Sequence, residues 1–355
     1  MICHEYVANC ALVTALPKPS AFADIPNAPP WRAPRADTYA ALDLGTNNCR
    51  LLVARSAGRG FRVIDAFSRI VRLGEGLAAT GVLSEAAMAR TLEALKICAG
   101  KVAHRRVTQA RYVATEACRR AANCAEFLAR VRAHTGIAIE IISSDEEARL
   151  VVTGCAPLLD RSVPHALVFD IGGGSTELVW LDVPGDPRAL PTVAGFLSLP
   201  NGVVTLSDRY GGREVSPVTY AAMVSEMQDA VLPFEERFGI ARHIERGAVQ
   251  MLGSSGTVTT LAGINMELPR YNRAVVDGSM LSFECVRTVT ERLVGLCYEA
   301  RAAHPCIGSD RADLVLAGCA ILEAICGLWP VGRLRVADRG IREGILVGLL
   351  NPGRA

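Results

Sequence analysis

One pattern occurs twice in this chain, and it limits the fold more than any other feature. The segments Ala41-Leu42-Asp43-Leu44-Gly45-Thr46-Asn47-Asn48-Cys49-Arg50-Leu51-Leu52 and Val168-Phe169-Asp170-Ile171-Gly172-Gly173-Gly174-Ser175-Thr176-Glu177-Leu178-Val179 share one layout. Each is an apolar run, Asp-x-Gly, small polar residues and a second apolar run. Each copy therefore reads as a β-hairpin whose tight turn exposes backbone N–H groups. Glycine removes the side chain that would block a ligand, so such a turn accepts phosphate oxygens. The Asp at the strand end is placed to hold a hydrated Mg2+ beside that phosphate. A single copy reads at least as well as an ordinary turn with a solvated Asp. Two copies in equivalent settings point to two related α/β domains facing one another across a cleft. A dinucleotide fingerprint at Gly172–Gly174 fails on context, because that loop should open a helix and the residues after Ser175 read as strand.

The flanking pattern is also α/β. Apolar runs at Tyr39–Leu44, Cys49–Arg55, Phe61–Phe67, Gln109–Ala114, Ala138–Ile142, Ala166–Phe169, Glu177–Leu181, Ala248–Leu252 and Arg333–Val336 read as strands. Helical spacing marks Ser84 to about Ala99, with Ser84 as N-cap, then Asn123–His134, Asp145–Leu158, Arg311–Leu328 and Ile341–Leu349. Gly253-Ser254-Ser255-Gly256-Thr257 reads as a loop between a strand and a helix N-terminus. That arrangement accepts an anion, and equally serves as a capped helix start. Residues 1–37 are Pro-rich and read as a flexible extension. The first domain spans 38–145, with 338–355 packing back on it, and the second spans 146–337.

Composition removes several function classes. Of 38 Lys+Arg only Lys18, Lys96 and Lys101 are lysine, and none lies in a Gly-rich loop, so a Walker P-loop is absent. A net charge of +2 gives no case for nucleic acid as partner. No apolar run is long enough to span a membrane. The 12 Cys contain no C-x2-C pair and the 6 His no metal-binding spacing, so a hard cation on carboxylates is the favoured metal. Cysteines in apolar runs read as reduced core thiols of a cytoplasmic protein.

Taken together, Asp43–Arg50, Ala114-Thr115-Glu116-Ala117-Cys118-Arg119 through Asn123, Ile141–Arg149, Phe169–Leu178, Gly253–Thr257 and Asp338–Gly344 resemble the exopolyphosphatase / guanosine pentaphosphate phosphatase (Ppx/GppA) family of the actin-like phosphotransferase superfamily. The resemblance covers about Tyr39 to Leu350. It implies two actin-like (ribonuclease H-like) domains around a central cleft. It also implies a hydrolase that releases terminal orthophosphate from inorganic polyphosphate, guanosine pentaphosphate (pppGpp) or both. On that resemblance Glu147, in the Glu-Glu-Ala-Arg stretch, is the catalytic base that activates water. Asp170 and Glu177, with Asp43 close by, hold Mg2+ or Mn2+. Gly45, Thr46, Asn47, Gly172, Gly173, Gly174, Ser175 and Thr176 supply phosphate-binding donors. Arg50 and Arg119 are phosphate forks, and Gly253, Ser254, Ser255, Gly256 and Thr257 form a third anion loop.

Two departures matter. Thr46 and Asn48 stand where relatives often carry Ser, but both keep a donor. The chain ends at Ala355 with no His-Asp doublet of the kind longer relatives add, which leaves shorter polyphosphate and pppGpp both open. A homodimer is also left open. Two rival readings share the fold or the site: an actin-fold kinase or ATPase, and a phosphate- or alarmone-binding regulator without turnover. The complete set Asp43, Glu147, Asp170 and Glu177 argues against the regulator, because a sensor needs no general base.

Overall fold

The structure, a computed structural model, describes residues 37–58, 60–186 and 189–351. Apart from Asp37, the proline-rich extension read at 1–37 lies outside the described residues. Strands β1 (Thr38–Leu44), β2 (Asn48–Ala57), β3 (Gly60–Ile70), β4 (Gln109–Ala114) and β5 (Glu140–Ile141) form one sheet in the order β3-β2-β1-β4-β5. The first three are antiparallel, and β4 and β5 run parallel to β1. Strands β6 (His165–Ile171), β7 (Thr176–Asp182), β8 (Thr192–Leu199), β9 (Val249–Ser255), β10 (Met280–Ser282) and β11 (Arg333–Ala337) form the second, in the order β10-β11-β9-β6-β7-β8. It repeats the scheme: β6, β7 and β8 are antiparallel, while β9 and β11 run parallel to β6. The short β10 is added at its edge. This is the duplicated α/β unit that the paired hairpins imply.

Helices α1 (Leu77–Thr80), α2 (Glu85–His104), α3 (Glu116–Arg120) and α4 (Cys124–Thr135) accompany the first sheet. Helix α5 (Ser144–Cys155) follows it. Then come α6 (Val203–Tyr210), α7 (Pro217–Phe238), α8 (Ile240–Glu245), α9 (Gly256–Asn265), α10 (Arg273–Val276), α11 (Phe283–Val294), α12 (Tyr298–Ala303) and α13 (Val315–Leu328), and last α14 (Ile341–Leu350). Serines start several of them. Ser84, Ser143 and Ser255 each accept a hydrogen bond from the amide three residues on, satisfying a donor that a helix N-terminus leaves open.

Strand alternation decides where the two aspartates face. On β1, Ala40, Leu42 and Leu44 enter the core that α2 and α4 cover, while Tyr39 and Ala41 enter a middle layer. On β6, Leu167, Phe169 and Ile171 enter the core under α7, α9 and α13, while Ala166 and Val168 enter the same middle layer. With a period of two, Asp43 and Asp170 continue the inner set on each strand. The middle layer is α14, lying against β1 to β4, packed on α5, lying against β7 and β8.

Several boundaries differ from the sequence expectation. The strand expected over 138–142 is only Glu140–Ile141. Helix α5 ends at Cys155 and tightens into a 3-10 turn over Ala156–Leu158, where Pro157 lacks the amide that would continue the α-helix. Helix α13 starts at Val315 rather than Arg311. The expected loop at 253–257 is largely absent: β9 runs through Ser255 and α9 opens at Gly256. Among the described residues, no helix is long and apolar enough to cross a membrane.

Helices α5 and α14 meet backbone to backbone. A Cβ on Gly344 would sit 2.0 Å from the Leu150 carbonyl oxygen, and one on Gly154 would sit 2.3 Å from that of Gly340. Neither neighbour is a side chain that can swing aside. Gly344→Ala should therefore destabilise by about 1–3 kcal/mol, the usual cost of overpacking. Gly100→Ala, in an exposed stretch of α2 with nothing within 4 Å, should stabilise by up to about 1 kcal/mol. Thermal melts of both variants check the pair; an unchanged Tm for Gly344→Ala would contradict the close contact.

Candidate active site

The two hairpins match down to their turn hydrogen bonds. Gly45 N–H donates to Asn48 O and Gly172 N–H to Ser175 O, both at 2.9 Å. Asp43 pairs across its hairpin with Arg50, and Asp170 across its own with Glu177. The turns also touch one another. A Cβ on Gly174 would lie 2.5 Å from Thr46 Oγ1, and one on Gly173 would lie 3.1 Å from Asn47 N. From behind, the α6 N-terminus closes on the same loop: Val203 N–H and Val204 N–H donate to the Gly172 and Gly173 carbonyls. Glycine is needed here because backbone approaches from both sides, leaving no room for a side chain.

Four carboxylates gather where the inner faces meet. Asp43, Glu147 and Glu177 are each more than nine-tenths buried. Burial, then repulsion from Glu177, pushes Glu147 up to about 8, against the pull of Arg119. Burial and the neighbouring Glu147 push Asp170 up to about 8. Burial raises Glu177 to about 7, although Ser175 and Ser198 hydroxyls donate to it. Asp43 is raised by burial too, opposed by Arg50 and Arg342. One Asp43 oxygen is buried with no hydrogen-bond partner, as are the side-chain oxygens of Asn47 and Asn48. Carboxylates that desolvation and one another push towards protonation suit a bound cation, which would relieve both effects. Among the described residues, no three His, Cys, Asp or Glu side chains are arranged to enclose a metal ion by themselves. Asp43, Glu147 and Asp170 of this group line the cavity, and Glu177 does not.

The cavity holds about 640 Å³ and joins the two halves. Asp43, Gly45, Thr46, Asn47, Arg50, Glu147, Asp170, Gly172, Gly173, Gly174, Ser175, Ser254, Ser255, Gly256 and Thr257 all line it. Four expected site residues do not. Gly253 lies within β9, where a Cβ would meet the Phe169 ring at 2.6 Å, so it serves packing. Thr176 is fully buried and donates to Asn201 O. Glu177 lies behind the turn, held by Ser198. Arg119, expected as a phosphate fork, is turned to carboxylates: it donates to Glu147 at 2.8 Å, to Glu116 at 2.8 Å and to the Ile142 carbonyl. Its guanidinium orients Glu147.

The wall also contains residues that sequence reasoning missed. Arg50, Arg311 and Arg342 all line the cavity, close enough for the charge of Arg50 to act on the other two, and none of the three takes part in an ion pair among the described residues. Burial, and the charge of Arg50, lower the pKa of Arg311; burial lowers that of Arg342, again with Arg50 adding to it. Unpaired guanidinium groups crowded round a cavity mark a place for a polyanion. Tyr271 and Arg273 complete that wall and are anchored on Asp338. Arg342 lies inside the Asp338–Gly344 stretch and could have been noticed there. Nothing in the local pattern marks Arg311 or Tyr271.

A sequence model of the Ppx/GppA phosphatase family matches residues 52–352. The chain belongs to that family. The match begins after the first turn. A crystal structure described as an exopolyphosphatase-like protein is 27% identical, with a TM-score of 0.79 over 89% of this chain and 98% of that one. The Aquifex aeolicus member of the Ppx/GppA family is 26% identical, with a TM-score of 0.71 over 90% of this chain and 99% of that one. An exopolyphosphatase from Cytophaga hutchinsonii shares the fold at 23% identity, with a TM-score of 0.79 over 88% and 98% of the two chains. Membership of the Ppx/GppA phosphatase family supports a phosphatase-type hydrolase.

The raised carboxylates predict a pH effect on stability. Asp170 titrates near 3.8 when unfolded and near 8 when folded, so the unfolded chain gives up its proton first as pH rises. Its contribution to stability is complete below about pH 4 and is lost as pH rises through 8. In EDTA, Asp170→Asn should therefore melt higher than wild type at pH 8 and lose that advantage at pH 4. Equal differences at both pH values would contradict the burial of this carboxylate among its like.

Proposed function

We propose that the protein is a metal-dependent phosphoanhydride hydrolase that releases terminal orthophosphate from inorganic polyphosphate, pppGpp or both. The observation that carries this reading is Glu147, held by Arg119 at the inner end of a cavity lined by turn amides and unpaired arginines. The terminal phosphoryl group would lie between the turns at Gly45–Asn47 and Gly172–Ser175, whose amides suit phosphate oxygens. The rest of the polyanion would extend towards Arg50, Arg311 and Arg342. Mg2+ or Mn2+ on Asp43 and Asp170, near Glu177, would neutralise phosphate oxygens and developing charge.

Glu147 then acts as general base. It accepts a proton from water as the water oxygen forms a bond to the terminal phosphorus. The bridging P–O bond breaks in line, and the departing oxygen keeps the electron pair as the new chain end. No covalent intermediate is needed. Burial makes Glu147 a stronger base than an ordinary carboxylate, and a cation bound nearby would favour the ionised form that accepts the proton. We read residues 38–145 and 146–337 as two domains that enclose the substrate and exclude bulk water. A cytoplasmic setting agrees with substrates that are intracellular phosphoanhydrides.

Glu147→Gln should lower phosphate release by roughly 100- to 10,000-fold while tripolyphosphate still binds by calorimetry. Near-normal turnover would remove Glu147 from its role. Asp170→Asn should raise the Mg2+ concentration needed for half-maximal release by roughly tenfold or more. A metal titration matching wild type would take Asp170 out of the ion site.

A further inference from the structure

Arg72 stands outside the chemistry just described, yet it ties together two walls of the cavity. It follows β3 and adopts φ 48°, a left-handed conformation unfavourable for a non-glycine residue. Such a conformation persists only where the surroundings fix it. Here they do. Arg72 N–H donates to Asn47 O in the first turn at 3.0 Å. Arg90 reaches the carbonyls of Val71 and Arg72 from below and pairs with Glu75.

The Arg72 guanidinium crosses to the other half. It makes a two-pronged pair with Asp313, at 2.8 and 2.9 Å, and also donates to Asp310 O at 3.1 Å. These two contacts bracket Arg311, the unpaired arginine of the far wall. On the opposite side Arg301, buried in its own half, donates to the carbonyls of Ala312, Leu296, Gly212 and Arg213. The backbone carrying Arg311 is thus clamped between two arginines, one from each half.

We propose that Arg72 is a positioning residue for this site: it joins the first phosphate turn to Arg311, so that the two walls grip the substrate polyanion in one fixed geometry. The need for it is electrostatic. Without an anion, Arg50 and Arg311 repel one another across the cavity, and the Arg72–Asp313 pair is the cross-half contact that opposes their separation. A polyanion removes that repulsion when it binds. The fork geometry is essential, because one group must hold both a carboxylate and a carbonyl.

The proposal rests on the hydrolase reading, and its test separates the two. In Arg72→Ala, and in Arg72→Lys as the milder variant, amide hydrogen exchange across 305–314 should rise while exchange in α2 and α7 stays at wild-type rates. KM for tripolyphosphate should rise roughly tenfold or more with kcat changed much less, because ground-state gripping is lost. The exchanged pair Arg72→Asp with Asp313→Arg should recover part of both. Unchanged exchange across 305–314 in both single variants would overturn the proposal, whatever the kinetics. If wild type hydrolyses no phosphoanhydride, the hydrolase reading fails, and the exchange result still decides whether Arg72 holds the Arg311 segment.

Discussion

Repulsion between buried carboxylates is the constraint around which this molecule is built. Asp43, Glu147, Asp170 and Glu177 come from four different elements and meet away from bulk water. Left alone, such a group would hold protons or drive the strands apart. The structure answers with local partners rather than with distance. Arg119 is committed to Glu147, Arg50 stands across the hairpin from Asp43, and serine hydroxyls donate to Glu177. An open Asp43 oxygen is left facing this group. Elsewhere on the cavity wall Arg50, Arg311 and Arg342 crowd one another, none of them in an ion pair among the described residues. An anion with a cation attached would satisfy both sides at once, which neither a bare metal nor a neutral ligand does.

The paired turns show how little space this needs. Gly173 and Gly174 lie against Thr46 and Asn47, with Gly202 pressed on them from behind. The cavity floor is thus a close contact of turn backbone with the Thr46 and Asn47 side chains. Main-chain amides cannot change rotamer, so their direction is fixed once the two sheets are in register. That is a useful property for groups meant to orient a phosphoryl group that moves little during reaction.

Much of this was legible in the sequence because it rests on local rules. The hairpin pattern fixes Asp43 and Asp170 at strand ends, and period-two alternation then gives both the same inward face. Glu147 is found from the family resemblance of its Glu-Glu-Ala-Arg stretch, since its place in the first turn of a helix would by itself say only that it suits the helix N-terminus. Elsewhere, local rules mislead or fall silent. Arg119 sits beside apparent phosphate-binding residues, but its direction depends on where Glu147 and Glu116 arrive. Gly253 resembles a loop glycine, yet the Phe169 ring is what requires it. Arg311 and Tyr271 reach the cavity on irregular connections, where no periodicity indicates which way a side chain points. Arg72 is least legible of all, because its role exists only once residues far apart in the chain come together.

The glycine contact between α5 and α14 also sets the geometry of any movement between the two sheets. With Gly154 and Gly344 in place, carbonyl oxygens of each helix nest against the backbone of the other. Sliding one helix past its neighbour would drive these atoms into collision, whereas swivelling about the point of contact keeps them apart. The junction thus works as a pivot rather than a track. A swivel there would turn one hairpin against the other while the helix junction itself stays packed.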